Sequence, residues 1–171
     1  MGSPKALLRW GSSTWAAAHA ERLAGWCDRV VVVVGAEGDA VAASLPAGAL
    51  VAWNRAWATS HPADSARLGA LALGEGVTRV VVTPVDVVPA EPAWLGALAG
   101  AAAPAVVVTP SGARGHPVLL GPRELGRLRV AGVAGGLRSL LEEAAAVGVD
   151  DERAAADADD PAAWAALRGE R

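Results

Sequence analysis

A chain of 171 residues, 53% of them hydrophobic and with a net charge of −3, suits one domain with a sizeable core and offers no electrostatic reason to bind nucleic acid. No apolar stretch is long and unbroken enough to span a bilayer, and Lys5 and Arg9 are not followed by a signal-peptide core and cleavage site. The single cysteine, Cys27, excludes an internal disulfide and a cysteine-based zinc cluster. A soluble cytoplasmic protein is the expectation, with neither membrane nor nucleic acid as a partner.

The chain opens on a loop, Met1-Gly2-Ser3-Pro4-Lys5, by its glycine and proline. Ser12, Ser13 and Thr14 are good caps, and Trp15, Ala18, His19 and Arg22 follow at helical spacing, so a helix is predicted over Ser13 to Leu23. His19 reads as a helix-surface or boundary residue. Arg29 to Val34 is a valine-rich strand ended by Gly35. A turn over Gly35 to Gly38 leads to a short helix over Ala40 to Ser44, then a strand over Ala49 to Trp53. Asn54 to Ala63 reads as a loop, and Ser65 to Leu73 as a helix. Arg79 to Thr83 is a strand and residues 93–99 a helix. Ala105 to Thr109 is a buried strand closed by Pro110, and Gly112 to Gly115 a turn. His116 to Leu120 is extended, while Arg123 to Leu128 and Leu137 to Ala146 read as helices. Val147 to Val149 can form a short strand. Pro161 to Arg168 is a closing helix capped by Asp160. Strands alternating with helices at this spacing predict an α/β fold with a mostly parallel sheet and flanking helices.

Arg79 to Thr83 is β-branched and apolar, as in a strand buried on both faces, and Pro84 ends it. Asp86 then stands just past the carboxyl end of the strand, where open α/β sheets bind ligands. It suits either of two roles. A carboxylate there can hold a hard cation such as Mg²⁺, together with substrate phosphates. Asp is also a good cap for the helix that follows.

Four segments, in order, resemble one family. Met1 to Lys5 resembles the tail of a G-G-x-S-x-R-M-G-x-P-K loop, and Thr83-Pro84-Val85-Asp86 a metal-binding strand end. Gly112 to Leu120, with Gly115-His116-Pro117-Val118, is close to G-x-x-G-H-P-V. Asp157-Ala158-Asp159-Asp160-Pro161 resembles D-I-D-T-P. The family is the MobA-like nucleotidyltransferases, which include the molybdenum-cofactor cytidylyl- and guanylyltransferases. The resemblance implies a Rossmann-like sheet of the nucleotide-diphospho-sugar transferase type. It implies transfer of a nucleoside monophosphate from a nucleoside triphosphate, CTP or GTP, to a small phosphorylated acceptor such as molybdopterin. Pyrophosphate is released and the cofactor is Mg²⁺.

The resemblance assigns Lys5 to the phosphates and Asp86 to the metal, as the catalytic pair. Asp157 or Asp159 supplies a second carboxylate to the metal or its water shell. Asn54 and Ser65 fall on the nucleotide side, and Arg114 and His116 on the acceptor side. His116 fits structural or positioning work better than proton transfer. Bland readings stand beside these: a solvated lysine, an acidic turn, ordinary turn chemistry at Asn54, an exposed arginine.

The chain also departs from the pattern. The proline of D-x-P comes one place late, at Pro89, and the acid of a G-D-x-G segment is replaced by Ala134. The family's opening strand and the glycine half of its phosphate loop have no counterpart after Met1. The expectation is a domain truncated at its N-terminus relative to the family, with the natural product beginning upstream. Without that strand, the strands over 29–34 and 79–83 would carry unpaired edges facing each other. A non-catalytic member acting as a binding module, or a sugar-nucleotide-using transferase, is the alternative.

Overall fold

A computed structural model describes residues 4–130 and 133–168, so Met1, Gly2 and Ser3 of the opening loop lie outside the described residues. The chain starts with a 3₁₀ turn, Lys5–Leu7, and a small antiparallel hairpin of β1 (Arg9–Trp10) and β2 (Ser13–Thr14). The hairpin was not legible in the sequence. Gly11, at φ 58°, supplies its left-handed turn residue. The helix α1 (Trp15–Ala24) follows, the first two residues of the predicted span being taken by the hairpin. Thr14 caps it, its hydroxyl accepting from the Ala17 amide at 3.2 Å.

Next come β3 (Val31–Val34), α2 (Gly38–Ser44) and β4 (Leu50–Trp53). The helix α3 (Pro62–Ala72) begins earlier than its apolar pattern suggests. Pro62 sits in its first turn. His61 and Asp64 form a reciprocal cap, with the Ala63 amide on His61 Nδ1 at 3.2 Å and the His61 amide on Asp64 at 2.9 Å. Then β5 (Val80–Val82), α4 (Pro92–Gly100), β6 (Ala105–Val108), β7 (Arg114–Leu120) and α5 (Pro122–Arg129) follow as the sequence predicts, within a residue or two.

The predicted helix over Leu137 to Ala146 is not formed. Gly136–Leu140 makes a 3₁₀ turn, entered through Gly135 and Gly136 at φ 77° and 65°, and Ala145–Gly148 is strand β8. The alanines there favour helix intrinsically. Pairing with the open edge of β6 outweighs that preference, and β8 runs parallel to β6 from Ala105↔Ala145 to Val108↔Gly148. The chain closes on α6 (Pro161–Leu167), capped by Asp160, which accepts from the Ala163 amide at 2.8 Å.

The main strands form two sheets. In one, β3 and β4 pair in parallel. The other has the order β5-β7-β6-β8, in which β7 runs antiparallel to both neighbours. The result is the expected α/β class, with one reversed strand in the larger sheet. The main core joins that sheet to α1, α4 and α6 through Trp15, Leu95, Leu98, Val107, Leu119 and Leu167. Trp10, Trp15 and Trp164 meet there, with Trp15 and Trp164 ring centroids 4.1 Å apart. No helix among the described residues is long and apolar enough to cross a membrane.

Candidate functional site

The site gathers at the carboxyl end of β5. After Val82 the chain turns through Thr83, Pro84 and Val85 to Asp86. The Asp86 carbonyl accepts from the Ala158 amide at 2.8 Å, and Val87 bridges Asp157 in antiparallel fashion. This backbone stitch brings the acidic segment before α6 beside Asp86. Lys5 reaches the same place. Its Nζ lies 3.0 Å from Asp159 Oδ1 and 3.5 Å from Asp86 Oδ2. Residues separated by 154 positions are thus in contact.

Asp86 and Asp159 converge on this one cation, whereas Asp157 is exposed and joins through its backbone. Partial burial pulls the Lys5 amine down. The hydrogen bond to Asp159 and the charge of Asp86 outweigh that, and its pKa is raised. Lys5 is therefore firmly a cation at neutral pH.

Two histidines flank Asp86. His19 is buried, at 7% exposure, which corrects its reading as a surface or boundary residue. Its Nε2 lies 3.0 Å from the Val87 carbonyl, which can only accept, so Nε2 carries the proton. Nδ1 is buried without a partner among the described groups. Burial pushes the His19 pKa down to about 4, against a small opposing pull from the Val87 carbonyl and the Asp86 charge. His19 is a neutral brace for the turn that carries Asp86. The signal was present in the sequence, since Trp15 and His19 are one helical turn apart and share the buried face of α1.

His116 lies on β7 and is mostly buried, with Nδ1 unpartnered. Burial lowers its pKa, and the Asp86 charge opposes this. The preceding glycine has a packing reason: a Cβ at Gly115 would overlap the Ala154 carbonyl of the 3₁₀ turn Glu152–Ala155. That close approach docks the segment leading to Asp157 and Asp159 on β7. Arg114, exposed on the same strand, donates from Nη2 to the Leu141 carbonyl at 2.6 Å.

A second polar group forms where β4 ends. Asn54 is 5% exposed. Its Nδ2 donates to Ser60 at 2.8 Å and to Ser65 at 2.9 Å, and its Oδ1 accepts from the Ala56 amide at 3.1 Å. Both hydrogens of the amide nitrogen are used, one within the loop and one on α3. Asn54 thereby fixes the turn between β4 and α3. Ser65, Arg114 and His116 line one cleft of about 1370 Å³, together with Pro84 and Val85 just before Asp86. Lys5, Asp86 and Asp159 are not among its lining residues, and Asp86 follows directly after the lining residue Val85.

Among the described residues no group of three or more His, Cys, Asp or Glu is placed to hold a metal ion. The Asp86–Asp159 pair nonetheless fits a hard divalent cation by its chemistry: two carboxylates drawn to a single positive charge. Mg²⁺ usually takes one or two protein carboxylates and completes its shell from phosphates and water.

These features define a nucleotidyltransferase-like α/β fold, and solved structures share it. Rv0371c from Mycobacterium tuberculosis H37Rv superposes with a TM-score of 0.82 at 21% identity, covering 99% of this chain and 90% of that one. Its homologue from Mycobacterium sp. strain JC1 gives 0.77 at 22% identity, covering 99% and 88%. A complex of Rv0371c with manganese gives 0.78 at 20% identity, covering 98% and 92%. No curated protein matches the sequence. The chain belongs to the MobA-like NTP transferase domain family, whose pattern it matches over residues 1–148. Membership implies a nucleotidyltransferase-type function that draws on nucleoside triphosphates.

Proposed function

We propose that the protein moves a nucleoside monophosphate from CTP or GTP to a small phosphorylated acceptor such as molybdopterin, in the cytoplasm and with Mg²⁺. The observation that carries this reading is the meeting of Asp86, Asp159 and Lys5 at the carboxyl end of β5. In the reaction an acceptor phosphate oxygen attacks the α-phosphorus, the bond to the β-phosphate oxygen breaks, and pyrophosphate leaves. Such transfer needs charge neutralisation and alignment more than a protein nucleophile. Lys5 contributes a fixed positive charge to the phosphates. Asp86 and Asp159 would hold the Mg²⁺, which supplies further neutralisation of the phosphate oxygens. The manganese complex of a structural neighbour supports a divalent cation in this fold.

Asn54 and Ser65 shape the nucleotide side of the cleft through the loop they fix, and Arg114 and His116 form the acceptor side. Neutral His116 suits positioning, because its lowered pKa leaves little cationic form at pH 7. The test is Mg²⁺-dependent pyrophosphate release with each nucleotide and a molybdopterin acceptor. Asp86→Ala is expected to lower it by about a hundredfold or more, while circular dichroism stays unchanged. An unaltered Mg²⁺ dependence in that variant would remove Asp86 from the site. Nucleotide binding without turnover in the parent would favour a non-catalytic binding module.

A further inference from the structure

Three tryptophans stand about half open to water: Trp26, Trp53 and Trp57, at 50%, 42% and 53% exposure. Their places differ. Trp26 precedes β3, at its amino end, and packs on Gly96 of α4. Trp53 ends β4 and covers Gly38 of α2. Trp57 stands at the carboxyl end of β3 and lines the cleft beside Ser60 and Ser65. Its mount is rigid. A Cβ on Gly35, the residue after β3, would fall 2.6 Å from Trp57 Cβ and 2.8 Å from Cγ, so the glycine lets the side chain seat directly on the backbone. The Trp57 amide donates to the Asn54 carbonyl at 3.3 Å, and the Thr59 and Ser60 amides donate to the Ala56 carbonyl at 2.9 Å. The Asn54 side chain ties the same loop to Ser65 of α3. A half-exposed ring on a fixed loop is preorganised contact area, and little conformational entropy is lost when a flat partner covers it.

One small core links this place to the charged one. Val34, the neighbour of Gly35, is buried in a cluster against which Val85, the neighbour of Asp86, and Ala6, the neighbour of Lys5, both pack. The Trp57 ring therefore stands at the same end of the strands as the Lys5–Asp86–Asp159 group. We propose that Trp57 is a stacking platform for a planar heteroaromatic ring carried by one of the two substrates, and so a residue that sets substrate specificity. This rests on the proposed nucleotidyl transfer, whose substrates both carry such a ring: the base of the triphosphate and the pterin of the acceptor. The two groups divide the work. Lys5 and the carboxylates act on phosphates, which every nucleoside triphosphate shares, whereas an indole face contacts the part that differs. Stacking needs a π-face and no particular pattern of donors and acceptors, so Trp57 favours a ring over none and a two-ring system over a single ring.

Binding measured by tryptophan emission and calorimetry tests this, with GTP, CTP, a pterin that carries no phosphate, and inorganic tripolyphosphate, each in Mg²⁺. A stacked ring should quench emission in the parent and in Trp53→Leu, and the quench should be lost in Trp57→Leu. Leucine keeps apolar bulk without a π-face, so Trp57→Leu should bind the stacked ligand about tenfold or more weakly, whereas Trp57→Phe should keep most of the affinity. Tripolyphosphate, which has the phosphate chain and no ring, should bind all four proteins alike. A loss confined to GTP and CTP, larger for GTP, assigns the ring to the nucleotide. A loss confined to the pterin assigns it to the acceptor. Equal affinity of the parent and Trp57→Leu for every ring-bearing ligand would overturn the platform, as would an equal loss for tripolyphosphate, which would mark a structural role. The proposed reaction fails separately: if Asp86→Ala leaves Mg²⁺-dependent tripolyphosphate binding intact while ring ligands still depend on Trp57, the metal site is wrong and the platform stands.

Discussion

The two sheets of this molecule are built from the same kind of sequence and end in different states. In the larger sheet Ala105 and Val107 of β6 and Leu119 and Leu120 of β7 are 0–2% exposed. In the smaller sheet only Val34 of the four β3 residues is buried, and Leu50 and Trp53 at the ends of β4 are 43% and 42% exposed. The valine run of β3 is as apolar as any segment of the larger sheet. The difference lies in neighbours: β6 and β7 have strands on both edges, whereas β3 has one. Apolar composition says that a strand can be buried, and the sheet around it decides whether it is.

The sharpest way to break this contrast is to truncate one leucine in each sheet. Leu120, on β7, is fully buried among Ala70, Leu125, Leu128 and Leu140. Leu120→Ala should cost about 2–5 kcal/mol in chemical denaturation, from lost transfer energy and a residual cavity. Leu50→Ala should change stability by about 0.5 kcal/mol or less, as for an exposed side chain. Equal losses would mean that the two sheets are equally packed in solution.

This contrast also marks what the sequence could convey. Strands β3 to β7 and most helices were legible because valine runs, prolines and caps are local signals. Thr14, Pro62 and Asp160 each stop or start an element by chemistry confined to a few residues. The convergence of Lys5, Asp86 and Asp159 was available only through family resemblance, since no local pattern joins residues 154 apart. The strand read over Val147 to Val149 begins earlier, at Ala145, where alanines placed in a helix serve either state and the edge of β6 makes the choice. His19 was misplaced because its polarity was weighed above its position, one helical turn from Trp15 on the buried face of α1.

The next effect in size concerns that histidine, which ties α1 to the turn after β5. In the fold its pKa is about 4, against an ordinary 6.5. Between those values the unfolded chain binds a proton that the folded one refuses. Stability is therefore fully present above about pH 6.5 and falls as pH drops toward 4, by about 3 kcal/mol from this group. His116, also lowered, acts in the same sense. Denaturation between pH 7 and pH 4 should show the loss in the parent and a shallower slope in His19→Gln. An identical slope in the variant would mean that other groups set the acid sensitivity.

A small effect is also expected at the ion pairs of Lys5, which stands beside Asp86 just past the carboxyl end of β5. Lys5 is 28% exposed, and its partners Asp86 and Asp159 are 36% and 78% exposed. Pairs this open to water are screened by solvent and salt, so Lys5→Met should lower stability by less than about 1 kcal/mol at neutral pH. Because the partners raise the Lys5 pKa above 10.5, the contribution persists through neutral pH and fades only as pH rises past that range. A loss of several kcal/mol would instead make Lys5 a structural tie between the sheets. The expected pairing is a small change in denaturation with a large fall in pyrophosphate release. It would place the role of Lys5 in the phosphate chemistry, because the residue that contributes least to holding the sheets together would then be among those that matter most to turnover.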